Sequence, residues 1–317
     1  MAHLLENMAY VNEAPWHGLG NHLTENQPIE VWLEQAGMSW SIQESPVLFQ
    51  VDTTGFNFRS NNDAKVLYRS DNLEALSVVS NRYKVVQPRD VLEFYRDLVE
   101  VGGFELETAG VLKGGRKLWA LAKTGQEVVL KGGDKVKSYL LLATACDGTL
   151  ATTAQFTSVR VVCNNTLTMA VGNTKGAVKV PHSTTFDPVA VKRELSLGVS
   201  AWDDFIYRMK ALSARKVHRI EAMNYLVNLL GDSETPLSKQ PNEKAITSVY
   251  GLFNGKGKGS ELASANDTAW GLLNAVTEYV DHHQAARSAD NRLNSAWFGR
   301  GATIKENALE LALQLVS

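Results

Sequence analysis

The sequence has few cysteines and no long apolar run, and both absences exclude classes of protein. Its two cysteines, Cys146 and Cys163, cannot build a disulfide framework, and each lies in an apolar stretch that is typical of a small buried side chain. No segment reaches the roughly eighteen consecutive apolar residues of a membrane-spanning helix. The N-terminal segment lacks the basic and apolar regions of a signal peptide. We therefore expect a cytoplasmic protein without a membrane span.

Charge is unevenly distributed along the 317 residues, although the net charge is only −2. Residues 1–107 carry 7 basic and 16 acidic side chains (−9), residues 108–183 carry 10 and 3 (+7), and residues 184–317 carry 15 of each. A positive segment within an otherwise acidic chain favours a polyanionic partner such as nucleic acid. The alternative is a solvated hairpin whose edge lysines discourage strand aggregation.

Residues 1–183 show the patterns of a sheet with a helix packed on it. Residues 88–103 predict a helix, because a proline lies at its start and two glycines end it. The pair Gly114-Gly115 between two apolar segments predicts a hairpin over residues 104–125. Two further strands are expected, at 135–148 and 175–181, and residues 152–163 predict an extended or strand-to-helix segment.

From residue 184 onward the pattern becomes helical. Asp187-Pro188 is typical of a helix start. An apolar helical seam follows, made of Leu195, Val199, Trp202, Ile206 and Met209. We predict an α+β fold, in which a mixed or antiparallel sheet domain with a packed helix (1–183) precedes an all-helical C-terminal region (184–317). Because sheet edges and this seam must be covered, we also expect a homo-oligomer.

The stretch TSVRVVCNNTL (157–167) joins a strand to a polar turn. Arg160, Asn164 and Asn165 offer donors and acceptors that suit phosphates or base edges, which predicts a nucleic-acid contact. The alternative is a structural strand-to-helix cap, since asparagine readily leaves the strand conformation. A nucleophilic role for Cys163 is disfavoured, because no histidine is near it in the sequence and adjacent valines suggest burial.

The hairpin and the strand after it carry most of the basic residues. Cationic side chains neutralise phosphates, and an aromatic ring can stack on a base. For the tryptophan in this group, core packing is the alternative, because its neighbours are apolar. The predicted nucleic-acid-binding residues here are Lys113, Arg116, Lys117, Trp119, Lys123, Lys131, Lys135 and Lys137.

Two motifs suggest other ligands, and we interpret both as structural. Glu278 and His282 share a helix face, with Asp281 adjacent, but a metal site needs three or four ligands and the sequence offers no others. The segment NGKGKGS (254–260) lacks the spacing of a phosphate-binding loop and follows a helix rather than a strand, so we interpret it as a flexible interhelical loop. We expect no metal, no cofactor and no catalytic residues.

Four segments resemble the phage/plasmid-like protein family, a family built on a domain of unknown function. They are APWHGLG, VVSNRYKVVQPRDVLEFYRDLVE, TSVRVVCNNTL and NAVTEYVDHHQAARSADNRLNSAWFGRGATIKENAL, in that order along essentially the whole chain. The resemblance implies a protein of a phage, plasmid or other mobile element. The element order and charge of residues 88–172 are also similar to single-strand annealing proteins of the RecT, Redβ and Erf kind, which hold single-stranded DNA in a basic groove.

Together these features predict a non-enzymatic nucleic-acid-binding protein, acting on single-stranded DNA in binding or annealing during recombination. The alternative is a protein-binding module that modulates a host system, such as defence or anti-defence. A third hypothesis is a metal-dependent hydrolase that uses residues 278–283.

Overall fold

The computed structural model describes residues 5–11, 20–52, 55, 57–100, 102–162, 165–168, 177–196, 200–232, 234–236 and 239–316. The chain forms two compact units, each built from separate segments. The first unit contains residues 1–124, 140–155 and 177–197, and the second contains 125–139, 156–176 and 198–317. The predicted domain boundary at residue 183 stays a prediction.

The fold is α+β, as predicted, and the first unit contains most of the strands. Its helices are α1 (Ile29–Gln35), α2 (Pro88–Glu93), α3 (Arg96–Glu100) and α4 (Pro188–Ser196). Its complete strands are β1 (Leu5–Val11), β2 (Asn21–Leu23), β3 (Ile42–Gln50), β4 (Phe58–Arg69), β5 (Ala75–Ser80), β6 (Glu105–Leu112) and β11 (Ala177–Val180). Three long strands contribute to both units: β7 (Lys117–Leu130), β8 (Asp134–Ala145) and β9 (Thr152–Arg160).

The first unit contains a mixed sheet and a smaller antiparallel one. In the mixed sheet β1 pairs parallel with β2 and antiparallel with β6, and β6 pairs antiparallel with β7. Strand β11 pairs antiparallel with β9. Strands β3, β4 and β5 form the antiparallel three-stranded sheet. The predicted hairpin is confirmed, with Gly114 and Gly115 at φ 68° and 99°, a conformation that glycine adopts at low cost.

The helix predicted over residues 88–103 is broken into α2 and α3. Tyr95 lies at the break, and its amide bonds to the Leu92 carbonyl three residues back, which tightens the turn. Its buried hydroxyl donates toward the carbonyls of Ala120 and Leu140, at 2.9 and 3.0 Å. These hydrogen bonds to the sheet hold Tyr95 in place. The helical pattern of residues 88–103 gives no sign of them, because both partners are distant in the sequence.

The second unit contains the predicted helical region from residue 198 onward and a short strand, β10 (Asn165–Thr168), which pairs antiparallel with β9. Its core centres on α8, where every side chain is buried. Trp202 and Met209 of the predicted seam pack into this core, so this part of the seam needs no second copy. Val199 lies outside the described residues. The helices are α5 (Ser200–Ala214), α6 (Arg219–Leu230), α7 (Glu243–Gly251), α8 (Ala269–Glu278), α9 (Ala289–Phe298) and α10 (Arg300–Gln314).

Within the ranges that the structure describes, no helix has both the length and the apolar character needed to cross a bilayer.

Candidate nucleic-acid interface

The predicted nucleic-acid-binding residues are divided between the two units, so each group is described by itself. Asn164 lies outside the described residues, as does Cys163. The first unit holds Lys113, Arg116, Lys117, Trp119 and Lys123, and the second holds Lys131, Lys135, Lys137, Arg160 and Asn165.

In the first unit, only part of the predicted basic hairpin is accessible. Arg116 is exposed, while Lys113 and Lys123 are half-buried. Lys123 forms an ion pair with Glu107, with 3.3 Å between Nζ and Oε2. These three side chains remain candidates for phosphate contact.

The structure corrects the prediction at Lys117 and Trp119, which are both buried. Residues 117–122 of β7 are covered on both faces, so strand alternation leaves no face open to a ligand. Trp119 packs close to Gly110, where an added Cβ would approach the indole Cζ2 atom to 3.2 Å. Core packing, the alternative interpretation of this tryptophan, is therefore confirmed.

Arg160 is also corrected, because its side chain is a buried structural group. Only 3% of the residue is exposed, and its Nε atom lies 2.8 and 3.0 Å from the two carboxylate oxygens of Asp134. Asp134, which is 1% exposed, also accepts hydrogen bonds from Ser264 Oγ (2.6 Å) and Trp270 Nε1 (3.0 Å). The Arg160 guanidinium is therefore not accessible to a nucleic acid.

The Asp134–Arg160 pair connects three loops of the second unit. The Arg160 guanidinium donates to the carbonyls of Gly259 (2.9 Å) and Lys258 (3.4 Å). The Val161 amide bonds to the Lys135 carbonyl at 2.9 Å, and the Ser264 amide bonds to the Lys131 carbonyl at 3.1 Å. We call residues 131–135, 160–162 and 256–264 the loop cluster.

Two glycines allow the loops of this cluster to approach each other closely. Gly132 has φ +81°, and an added Cβ would lie 2.9 Å from the Ala263 amide nitrogen. Gly259 has φ +70°, and an added Cβ would lie 2.7 Å from Val162 Cγ1. Any side chain at either position would combine backbone strain with a steric clash.

The glycine loop at residues 254–260 is anchored by hydrogen bonds in its second half, and its predicted flexibility stays a prediction. The Lys258 amide donates to the Glu278 carboxylate, at 3.1 and 3.3 Å from its two oxygens. The Gly257 amide bonds to the Leu252 carbonyl (3.0 Å), and the Ser260 amide bonds to that of Gly257 (3.2 Å). Because these amides have internal partners, the loop does not present them to a phosphate, in agreement with its lack of the phosphate-loop spacing.

The acidic residues of the 278–283 motif have structural partners too. Glu278 is buried and holds the glycine loop, with His283 Nε2 at 3.6 Å from its Oε1. Buried Asp281 accepts from Lys305 Nζ (2.7 Å) and from the Thr166 amide (2.8 Å), which ties β10 to α10. Among the residues that the structure describes, no three histidine, cysteine or acidic side chains could hold a metal ion.

The loop cluster presents a positively charged surface. Lys131, Lys135, Lys256 and Lys258 are exposed, and Glu261 is its exposed acidic side chain. Since Asp134 and Arg160 neutralise each other, the exposed charges sum to +4 −1 = +3. Lys137 extends this surface along β8, because it is two residues from Lys135 and shares its strand face.

Sequence reasoning missed Lys256 and Lys258 as candidate ligand-binding residues. The signal was present in the segment GKGKG, where lysines alternate with glycines. The segment lacks the spacing of a nucleotide-binding motif, but its exposed lysine side chains can contact phosphates without that motif.

Comparison with known proteins identifies the family of the chain. A family model described as Domain of unknown function (DUF932) matches residues 75–297, a range that includes the whole loop cluster. No curated protein and no solved structure matches the chain.

Proposed function

The chain belongs to the family described as Domain of unknown function (DUF932), and we propose that this member binds nucleic acid through the lysines of its loop cluster. The proposal rests on one observation. Lys131, Lys135 and Lys258 have their carbonyls bonded to neighbouring loops of the cluster, while their side chains are exposed. The three lysines therefore extend from loops whose backbones are bonded to one another, and their ammonium groups suit the repeated phosphates of a nucleic-acid backbone.

The finer proposal is a single-stranded DNA-binding or annealing protein of a phage or plasmid, acting in the cytoplasm during recombination. It is supported by the resemblance of the four sequence segments and by the +7 charge of residues 108–183. The accessible candidate groups are ammonium and guanidinium groups rather than base-reading surfaces, so we propose binding with little sequence preference.

A salt titration tests this proposal. A fluorescein-labelled oligothymidylate should bind at low salt, and its affinity should fall steeply as salt rises. With four lysines each neutralising one phosphate, the slope of log K against log salt should be about −2.8, from about 0.7 per phosphate on a single strand. Glutamine at Lys131, Lys135 and Lys258 together should reduce that slope by about 2 units.

The matched control is Lys210→Gln, an exposed lysine of α5 outside the loop cluster, which should leave the slope unchanged. A complementary duplex as competitor tests strand preference, and mixing two complementary labelled strands tests annealing. An oligothymidylate that fails to bind at low salt would remove the proposal.

We also propose that binding proceeds without catalysis. The acidic side chains that resembled catalytic or metal-binding groups, Glu278 and Asp281, are buried and hydrogen-bonded to the Lys258 and Thr166 amides. Incubation of bound oligonucleotide with magnesium, manganese or zinc should leave its length unchanged on a denaturing gel. Shortened products that require Glu278 would contradict this part of the proposal.

A second candidate function, protein binding, is favoured by an exposed apolar ribbon in the first unit. Residues 47–50 of β3 pair with residues 58–61 of β4, beyond the point where β5 pairs with β4. Leu48, Phe49 and Phe58 on this ribbon are 59%, 51% and 50% exposed. Exposed apolar side chains on a two-stranded edge favour association, and we propose a second copy of the chain as the partner.

Light scattering tests the self-association. The wild-type chain should form an oligomer at micromolar concentration, and serine at these three positions should return a 34.8 kDa monomer. A wild-type chain that is monomeric at all concentrations would remove this candidate function.

A further inference from the structure

A shallow depression on α7 has the composition of a phosphate subsite. Its volume is about 590 Å³, and it is lined by Lys244, Thr247, Ser248, Gly251 and Lys256, together with Glu243 and Leu252. The first four of these residues are spaced i, i+3, i+4 and i+7, so they share one face of the helix.

The chain after α7 folds back and brings a second ammonium group to this face. Asn254 and Gly255 leave the helical conformation, with Gly255 at φ 102°. An added Cβ at Gly251 would lie 3.4 Å from Lys256 Cδ and 4.0 Å from its Nζ. The lysine stem therefore lies over the glycine, and its ammonium group reaches the C-terminal end of the depression.

The polar groups of the depression are accessible. The side chains of Lys244, Thr247, Ser248 and Lys256 are exposed. Stabilisation of the helix C-terminus by a cation would account for Lys256 alone. It does not account for a second lysine and two hydroxyls on the same face.

We infer that this depression binds a phosphate group, with the two ammonium groups neutralising its charge and the two hydroxyls donating to its oxygens. Lys256 belongs both to the depression and to the loop cluster, so the depression extends the positive surface onto α7. The inference rests on the proposed function in one respect, because it takes the phosphate to be a phosphodiester of the bound strand. Free phosphate has the same chemistry, and the experiment separates the two sources.

The test removes the hydroxyls without changing any charge. Thr247→Val with Ser248→Ala should weaken oligothymidylate binding at least about tenfold, since a single hydrogen bond to a charged group contributes on the order of one power of ten or more. Lys244→Gln should also weaken oligothymidylate binding at low salt, because it removes one of the two ammonium groups, and the control Lys210→Gln should leave binding unchanged. All of these positions are exposed, so the variants are expected to fold.

A second measurement uses inorganic phosphate as the probe. Line broadening in its ³¹P NMR spectrum should occur with the wild-type chain and decrease with the hydroxyl-free variant. Phosphate binding without oligothymidylate binding would overturn the proposed function and retain the subsite with free phosphate as its ligand. Weaker oligothymidylate binding by the variant, together with reduced phosphate broadening, would support the phosphodiester, and the absence of broadening with the wild-type chain would count against the subsite. If the variant changes neither measurement, the subsite is refuted, whatever the loop cluster binds.

Discussion

Breaking the buried Asp134–Arg160 pair should destabilise the second unit strongly. Removing one partner of a buried ion pair leaves an uncompensated charge and costs about 3–5 kcal/mol. Both residues are almost fully buried, and Asp134 accepts from Arg160, Ser264 and Trp270. We therefore expect Asp134→Leu and Arg160→Met each to lower the free energy of unfolding by about 4 kcal/mol.

The double variant distinguishes a true pair from two independent structural residues. It leaves the Ser264 and Trp270 donors without their acceptor, at about 1–3 kcal/mol each, but it buries no unpaired charge. We expect it to be no less stable than Asp134→Leu, which loses the same acceptor and also buries an unpaired guanidinium, so the coupling energy should be at least about 4 kcal/mol.

Urea unfolding followed by far-ultraviolet circular dichroism measures all three variants. Arg116→Met is the matched control, because this arginine is exposed, and it should change stability by no more than about 0.5 kcal/mol. If the losses of the two single variants add to that of the double within about 0.5 kcal/mol, the coupling is absent and the reasoning is refuted.

Three further predictions concern a thiol, a glycine and a carboxylate. Burial raises the pKa of the Cys146 thiol to about 12, so the reactive thiolate is scarce at pH 8. In a variant that keeps only this cysteine, a thiol reagent at pH 8 should react only after urea unfolding. Fast reaction of the folded chain would contradict this prediction. Gly259→Ala should lower the melting temperature more than Gly133→Ala, because both have positive φ but only the first would clash; equal losses would show that the clash is relieved. A hydrogen bond from Arg69 lowers the pKa of Asp71 below its ordinary 3.8. The ionised Asp71 carboxylate therefore stabilises the folded chain above pH 3.8, and this stabilisation is lost as pH falls through the lower folded-state pKa. Arg69→Met should weaken the acid dependence of the melting temperature, and an unchanged dependence would contradict this linkage.

Local signals in the sequence were sufficient for most of the secondary structure. The hairpin at Gly114-Gly115 follows from turn chemistry, and the helix that begins at Pro188 follows from its cap and its proline. A turn and a helix cap depend on residues that are adjacent in the sequence, so both can be read without the tertiary structure. The break between α2 and α3 was not predicted, because it depends on Tyr95 contacting strands 25 and 45 residues away.

By itself, the sequence determined the α+β class, the positive segment at residues 108–183 and the candidate basic residues, because composition and periodicity are properties of the chain. The tertiary structure alone decided which of these cations are accessible. Lys117 and Arg160 are buried, while Lys258 is exposed on an anchored loop. The physical reason is that burial of a charge requires a partner, and the partners here are distant in sequence: Asp134 meets Arg160 across 26 positions and Ser264 across 130.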